Sequence, residues 1–294
     1  MTHVRPLAIK DGSGGGTHST RVLPSGAVVH TWTPGEPVVA MVQLQHGFGE
    51  YSERFLNQYS RLVPHLVSKG IKVWAMDMLG HGRSPGRRGV VDVRRAVDDH
   101  VRVRRDMLSR SLPLLALGHS LGGLVTAGSV TVDEAGIAGV VLLAPALPRS
   151  LPAPVRTFLG AMARILPGAP APVPAAPASE LTRRQDVVRH AEQDPLMAHR
   201  RLPLLVGAGA LDIAAAVWAG APGWRAPCLV VHGTADTSTD PRASHHLADL
   251  LTAVDSSYLS VEGGRHELLH DDAADLVLEN VLAFADRHLD ARGV

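Results

Sequence analysis

The sequence predicts an α/β protein, with a mostly parallel central sheet, helices on both faces and a helical insertion. Three observations predict it. Short apolar runs recur along the chain as continuous rather than alternating stretches, which means burial on both faces of a sheet. Stretches with helical spacing lie between them, and strands that alternate with helices wind into a parallel sheet. The alternation then stops between about Leu147 and Pro222, where prolines crowd in and no strand-like run separates the helical pieces.

In chain order, Asp11–Gly16 is glycine-rich, so residues 1–19 read as a flexible lead-in. Thr20–Leu23 and Val28–Trp32, joined across Pro24-Ser25-Gly26, predict an antiparallel hairpin at the sheet's edge. Val38–Leu44, Ile71–Met76, Leu114–Leu117, Val140–Leu143 and Cys228–Val231 are the buried strands. Phe55, Tyr59, Leu62 and Leu66 mark one helix, and Val93, Val97, Val101 and Leu108 another. Residues 20–146 and 223–294 then form the core, and 147–222 a cap inserted above the sheet. In the cap, Val155, Phe158, Leu159, Met162, Ile165 and Leu166 form an apolar helical stripe, followed by Pro167, Pro170, Pro172, Pro174 and Pro177. That stripe reads either as a helix packed on the domain or as a mobile lid whose face meets lipid, with Phe158 and Leu159 at the substrate.

Charge excludes one class of partner. The 294 residues carry 29 basic and 28 acidic side chains for a net charge of +1, whereas binding a phosphate backbone needs clustered positive charge. The run Arg102-Val103-Arg104-Arg105 reads as a solvated helix face near Asp98 and Asp99. The single cysteine, Cys228, lies in an apolar run and reads as buried filler. No apolar leader segment stands at the start and no uncharged apolar run reaches 18 residues, so the expectation is a cytoplasmic protein able to touch a membrane surface.

Gly118-His119-Ser120-Leu121-Gly122 is a G-x-S-x-G pentapeptide set between the run Leu114–Leu117 and a helical stretch. That is the strand–turn–helix setting of a nucleophilic serine, where glycines relieve a strained turn and the helix N-terminus favours developing negative charge. A serine needs a base and an orienting acid, in the order Ser, Asp or Glu, His. Asp236 follows the strand ending at Val231, and His266 follows the last strand-like segment, both at the carboxyl ends of strands. Asp240 precedes Pro241 and reads as a helix cap. His46, His81, His119 and His232 read as hydrogen-bonded loop scaffolding. His266-Glu267-Leu268-Leu269-His270 matches H-E-x-x-H, yet two glycines precede it where a zinc site needs a continuous helix, and only Glu279 offers a third ligand. The oxyanion donors are expected from the amides of Leu121 and of Phe48, in His46-Gly47-Phe48-Gly49.

Together these residues resemble the monoacylglycerol lipase family, in the lysophospholipase-like or serine aminopeptidase-like branch of the α/β-hydrolases. The matching pieces are His46-Gly47-Phe48-Gly49-Glu50, Asp77 with Gly80-His81-Gly82-Arg83-Ser84, and Gly118-His119-Ser120-Leu121-Gly122-Gly123. Asp194-Pro195-Leu196, His232-Gly233-Thr234-Ala235-Asp236 and His266-Glu267 complete them. The resemblance implies an α/β-hydrolase fold, a triad of Ser120, Asp236 and His266, and a cap over an apolar acyl channel. It also implies that Glu50 and Arg54 lie near a polar head-group pocket. Two departures touch that pocket: Leu269 stands where many relatives have a second histidine, with His270 one later, and Tyr51 replaces a common histidine. The implied activity is hydrolysis of a monoacylglycerol to fatty acid and glycerol, without metal or organic cofactor. A lysophospholipase or medium-chain carboxylesterase is the nearest alternative. A zinc peptidase and a non-catalytic lipid binder are the alternatives of other classes.

Overall fold

In the computed structural model the described residues are 7–8, 16–35, 37–108, 111–173, 177–198, 201–253 and 255–289. Strand β1 (Leu7–Ala8) pairs antiparallel with β2 (Thr17–Val22), and β2 with β3 (Val28–Thr33) in the register Val22↔Val28. The hairpin predicted across Pro24-Ser25-Gly26 is therefore present, and part of the expected lead-in is strand. Asp11–Gly15 and Pro174 lie outside the described residues.

β4 (Ala40–Gln45), β5 (Ile71–Asp77), β6 (Leu114–His119), β7 (Ile137–Leu143), β8 (Cys228–Gly233) and β9 (Ser257–Val261) are parallel. β3 joins them antiparallel to β5, giving the order β1-β2-β3-β5-β4-β6-β7-β8-β9. Alternate side chains feed two cores: Met41, Val140 and Val230 on one face, and Val42, Val141 and Leu229 on the other. Several strands run past the apolar stretches that mark them and end on Gln45, Asp77, His119 and Gly233, all at the carboxyl edge.

The stripe Phe55–Leu66 is buried throughout but is not one helix. It forms α1 (Arg54–Asn57) and α2 (Leu62–Ser68), separated by Tyr59, Ser60 and Arg61 at φ 49, 51 and 53°. Left-handed residues without glycine need outside support. The Tyr59 amide donates to His270 Nε2, and Ser60 Oγ donates to the Leu269 carbonyl at 2.9 Å.

α3 (Val93–Leu108), α4 (Leu121–Val132), α5 (Ala153–Ile165), α6 (Ala178–Leu181), α7 (Gln185–Gln193), α8 (Leu204–Gly220), α9 (Pro241–Leu250) and α10 (Ala274–Leu289) complete the chain. In the basic run on α3, Arg104 is buried rather than solvated. Its guanidinium donates to Ser129 Oγ at 2.8 Å and to the Ser129 carbonyl at 2.9 Å, joining α3 to α4.

Residues 147–222 divide in two. The stretch from α6 to Ala198 lies over the strand ends: Glu267 N donates to Leu181 O (2.8 Å) and Ala198 N to Gly49 O (2.7 Å). α8 instead joins the helical layer on α3 and α4, with Val206, Ala210, Ala214 and Val217 buried. The run Leu204–Gly223 is long and apolar enough to cross a membrane by length and composition, with a mean hydropathy of 1.7. Here a third of it is buried, and its one acid, Asp212, pairs with Arg94 and Arg156. α5 packs on α8 and is held by that Arg156 pair at 3.1 Å, and only Ala163 is buried on it.

Candidate active site

Ser120 sits where β6 turns into α4, at φ 54° and ψ −121°, a region costing about 1–3 kcal/mol for a residue with a side chain. The backbone around it is over-determined: Ser120 N donates to Leu143 O at 2.9 Å, and Ser120 O accepts from Leu124 N (3.1 Å) and Ala146 N (3.0 Å). The flanking glycines are required sterically. A Cβ on Gly118 would strike the Gly122 carbonyl, and one on Gly122 would strike the carbonyls of Gln45 and His46.

His266 Nε2 stands 2.8 Å from Ser120 Oγ, and its Nδ1 stands 2.7 Å from Asp236 Oδ2. An ionised carboxylate can only accept, so Nδ1 carries the proton and Nε2 is left to accept from the hydroxyl. Asp236 also accepts from Thr239 Oγ1 (2.7 Å), His232 Nε2 (3.0 Å), Ser238 N (2.7 Å) and Thr239 N (3.1 Å). Burial would raise the pKa of its carboxyl, but the facing His266 and these hydrogen bonds outweigh burial and hold it well below the usual range. The two loops that carry the acid and the base are joined directly, Ala235 N donating to Gly264 O at 3.0 Å.

The loop after β4 crosses above the serine: a Cβ on Gly47 would lie 3.0 Å from Ser120 Cβ. Gly47 N is occupied by Glu50 Oε1 at 2.6 Å, whereas among the described residues Phe48 N has no hydrogen-bond partner. Leu121 opens α4, so its amide is one of the N–H groups that a helix start leaves unpaired. Two amides, one on the loop beside the serine and one next to it in the chain, are thus without a protein hydrogen-bond partner among the described residues.

Glu50 and Arg54, which the resemblance sets near a polar head-group pocket, are buried in this structure. They are 3% and 2% exposed, under the loop, and their charges are satisfied by the protein. Glu50 accepts from Gly47 N, from Tyr59 OH (2.6 Å), from His119 Nδ1 (2.8 Å) and from Arg54 Nη1 (3.0 Å). Arg54 reaches Glu267 at 3.5 Å, and Glu267 pairs with His270 Nδ1 at 2.7 Å. His119 Nε2 lies 3.3 Å from the His266 carbonyl. Burial would lower the His119 pKa, and Glu50 overrides it and raises it. The two histidines of H-E-x-x-H therefore face different partners, His266 the serine and His270 the Tyr59 amide, on a loop and a 3₁₀ turn.

Phe158, expected at the substrate, is exposed to solvent in this structure. It is 63% exposed on the outer face of α5, with Ile165 at 68% and Leu166 at 56%, while Leu159 is half-buried. Asp240 caps α9, accepting from Arg242 N at 3.0 Å. His46 Nε2 accepts from Met78 N (3.0 Å), while Asp77 accepts from Ser52 N, Arg83 N and His30. The Asp77 and Gly80–Ser84 motif is thereby bonded to the loop that crosses the serine. Sequence reasoning missed Thr239, which lies 3.3 Å from His266 Nδ1 as well as on Asp236. Nothing local distinguishes it from Thr234, Thr237 or Ser238.

A mostly parallel sheet with a strained serine on the β6–α4 turn, and a histidine and an aspartate on later strand ends, defines an α/β-hydrolase. The fold is shared by a solved monoacylglycerol lipase of Paleococcus ferrophilus (TM-score 0.76, 29% identity, 88% of this chain and 99% of that one). It is shared too by a soluble variant of monoglyceride lipase from Saccharomyces cerevisiae (TM-score 0.78, 20% identity, 98% and 100%), a likeness of fold alone. The family described as serine aminopeptidase, S33, matches residues 36–273, and the chain belongs to it. Monoacylglycerol lipase of Mycolicibacterium smegmatis is 29% identical over 89% of this chain and 93% of its own. Human monoglyceride lipase is 30% identical over 83% and 80%. The chain is a serine hydrolase of the esterase and lipase type.

Proposed function

We propose that the protein is a monoacylglycerol lipase, with Ser120 as nucleophile, His266 as general base and acid, Asp236 as its orienting acid, and the amides of Phe48 and Leu121 as oxyanion donors. The observation that carries the reading is the unbroken hydrogen-bonded line from Ser120 Oγ to His266 (2.8 Å) to Asp236 (2.7 Å), with the serine on a strained turn. His266 Nε2 takes the hydroxyl proton as Oγ attacks the ester carbonyl. The imidazolium is stabilised by the Asp236 carboxylate, and the oxyanion by the two amides, each such donor being worth about 10²–10³ in kcat. His266 then protonates the departing glycerol oxygen, leaving the acyl group on Ser120. Water, deprotonated by the same histidine, releases the fatty acid and restores the serine. Glycerol as the leaving group is favoured by the relatives, which carry the name monoacylglycerol or monoglyceride lipase.

The outer face of α5 supports reversible contact with a lipid surface. Val155, Phe158, Ile165 and Leu166 are all exposed, and burying one large apolar side chain contributes about 1.5–3 kcal/mol. Rates across monoacylglycerols, emulsified triolein, lysophospholipids and aminoacyl amides with one preparation test the substrate. Monoacylglycerols are expected to be cleaved far faster than the rest, and comparable turnover of triolein or of an aminoacyl amide overturns the assignment.

A further inference from the structure

The Asp194-Pro195-Leu196 motif lies in the insertion, remote in sequence from every group used above, and it touches the loop that carries Phe48. Asp194 ends α7, and its Oδ2 accepts from Tyr51 OH at 2.6 Å. Its Oδ1 accepts from Leu196 N at 2.8 Å, and its carbonyl accepts from Met197 N at 3.1 Å, folding the motif into a tight turn. That turn delivers Ala198 N to the Gly49 carbonyl at 2.7 Å. The approach is close enough that a Cβ on Gly49 would come within 3.1 Å of the Ala198 carbonyl, at a φ of +81° that already favours glycine.

The Phe48 amide is thereby held between two fixed peptides. Gly47 N is bonded from below to the buried Glu50 (2.6 Å), and Gly49 O from above to the insertion. Tyr51, two residues on, repeats the upper attachment through its side chain. Burial first, and then the Asp194 carboxylate, push the Tyr51 hydroxyl above its ordinary pKa, so it stays a protonated donor. The insertion therefore has two mechanical parts. The apolar face of α5 has no cover among the described residues, whereas residues 194–198 are bonded to the loop above the serine.

We infer that Asp194 and Tyr51 are positioning residues, and that the 194–198 turn sets the Phe48 amide for the oxyanion rather than serving as a lid. The inference rests on the proposed role of Phe48. It answers what the two residues the family resemblance leaves without a task, the acid of the insertion's motif and the tyrosine that replaces a histidine, do in this chain. A donor displaced by a fraction of an ångström weakens the transition state without weakening ground-state binding, and a 1 Å displacement costs about 10²-fold.

The test uses the full chain with a soluble p-nitrophenyl butyrate, which cannot report on lipid surfaces. Tyr51→Phe and Asp194→Ala are expected to lower kcat about 10- to 100-fold with KM within about twofold of wild type. Asp194→Asn keeps one acceptor oxygen for Leu196 N, and its amide N–H can donate to the Tyr51 hydroxyl oxygen, so it is expected to restore most of the rate. The inhibition constant of an alkyl trifluoromethyl ketone, whose adduct carries an oxyanion, is expected to rise in proportion to the loss of kcat/KM. Unchanged kcat in both variants, or a raised KM confined to long-chain aggregated substrate, overturns the inference and makes the turn a substrate-contacting lid. A loss of kcat that leaves the ketone's affinity at the wild-type value overturns it too. Ser120→Ala runs alongside: wild-type turnover in that variant refutes the nucleophile assignment, separately from any result on the turn.

Discussion

Replacing Glu50 by Ala removes one acceptor shared by four donors: Gly47 N and Tyr59 OH at 2.6 Å, His119 at 2.8 Å and Arg54 at 3.0 Å. The side chain is 3% exposed, so water does not reach the orphaned groups. Among the described residues Arg54 then keeps Glu267 at 3.5 Å, Gln58 at 3.0 Å and the face of the Tyr59 ring at 5.1 Å, and it already has one buried nitrogen without a partner. Breaking a buried ion pair by removing one member costs about 3–5 kcal/mol, because an uncompensated charge stays behind. At about 2–4 °C per kcal/mol, the thermal midpoint falls by roughly 6–20 °C. Glu50→Gln keeps the shape and one acceptor, but its amide N–H faces two donors and Arg54 still loses its carboxylate, so a loss of similar size, about 3–5 kcal/mol, is expected. Guanidinium and thermal unfolding of the three proteins at one pH, with ester turnover alongside, make the comparison. Both variants are expected to lose kcat rather than gain KM, since Glu50 fixes the Gly47 peptide beside Phe48. Unfolding of Glu50→Ala within about 0.5 kcal/mol of wild type, with a raised KM for monoacylglycerol, refutes the reasoning and returns Glu50 to a head-group pocket.

The remaining predictions concern the reacting groups, pH and the outer face of α5. Because triad members act as a unit, Ser120→Ala abolishes nearly all turnover and adding His266→Ala costs little more, as kcat of the single and double variants will show. Asp236→Asn lowers kcat about 10⁴-fold, whereas Asp240→Asn leaves kcat near wild type and costs at most about 1 kcal/mol of unfolding stability, as expected for a helix cap. Burial opposes charge on His119, but Glu50 raises its pKa above the usual 6.5. Its imidazolium therefore contributes stability that is fully present below pH 6.5 and lost as pH rises through the raised value. The denaturant midpoint of wild type should decline over that rise, and that of Glu50→Gln should decline less. Replacing Phe158 and Ile165 by Ser weakens liposome flotation and raises the apparent KM for aggregated long-chain substrate. Turnover of a soluble short-chain ester stays within about twofold, because α5 lies off the serine's loops.

Legibility of the fold followed the range of the forces involved. Continuous apolar runs marked the parallel strands, since burial on both faces writes itself into each run, but their polar ends at Gln45, Asp77 and His119 could not be read as strand. Ser120, Asp236 and His266 could be placed because a strained turn imposes local glycines and strand order fixes the rest; they lie within hydrogen-bond reach of one another. The break at Tyr59–Arg61 was invisible because it is imposed by His270 and Leu269, some 200 residues away in sequence. The layer of α8 was equally hidden, for a helix apolar all round has no stripe to say which side it packs. The burial of Glu50 and Arg54 has the same origin: charge in a sequence suggests exposure, and only the fold supplies the partners that bury it.

The central claim, that Ser120 is the nucleophile of a monoacylglycerol hydrolase, is tested most directly by titrating the enzyme with a fluorophosphonate and locating the adduct by peptide mass spectrometry. One phosphonyl group on the peptide containing Ser120, rising in step with loss of monoacylglycerol hydrolysis, is the predicted result. Full hydrolysis by the labelled enzyme, or an adduct on another residue with Ser120 unmodified, would contradict it.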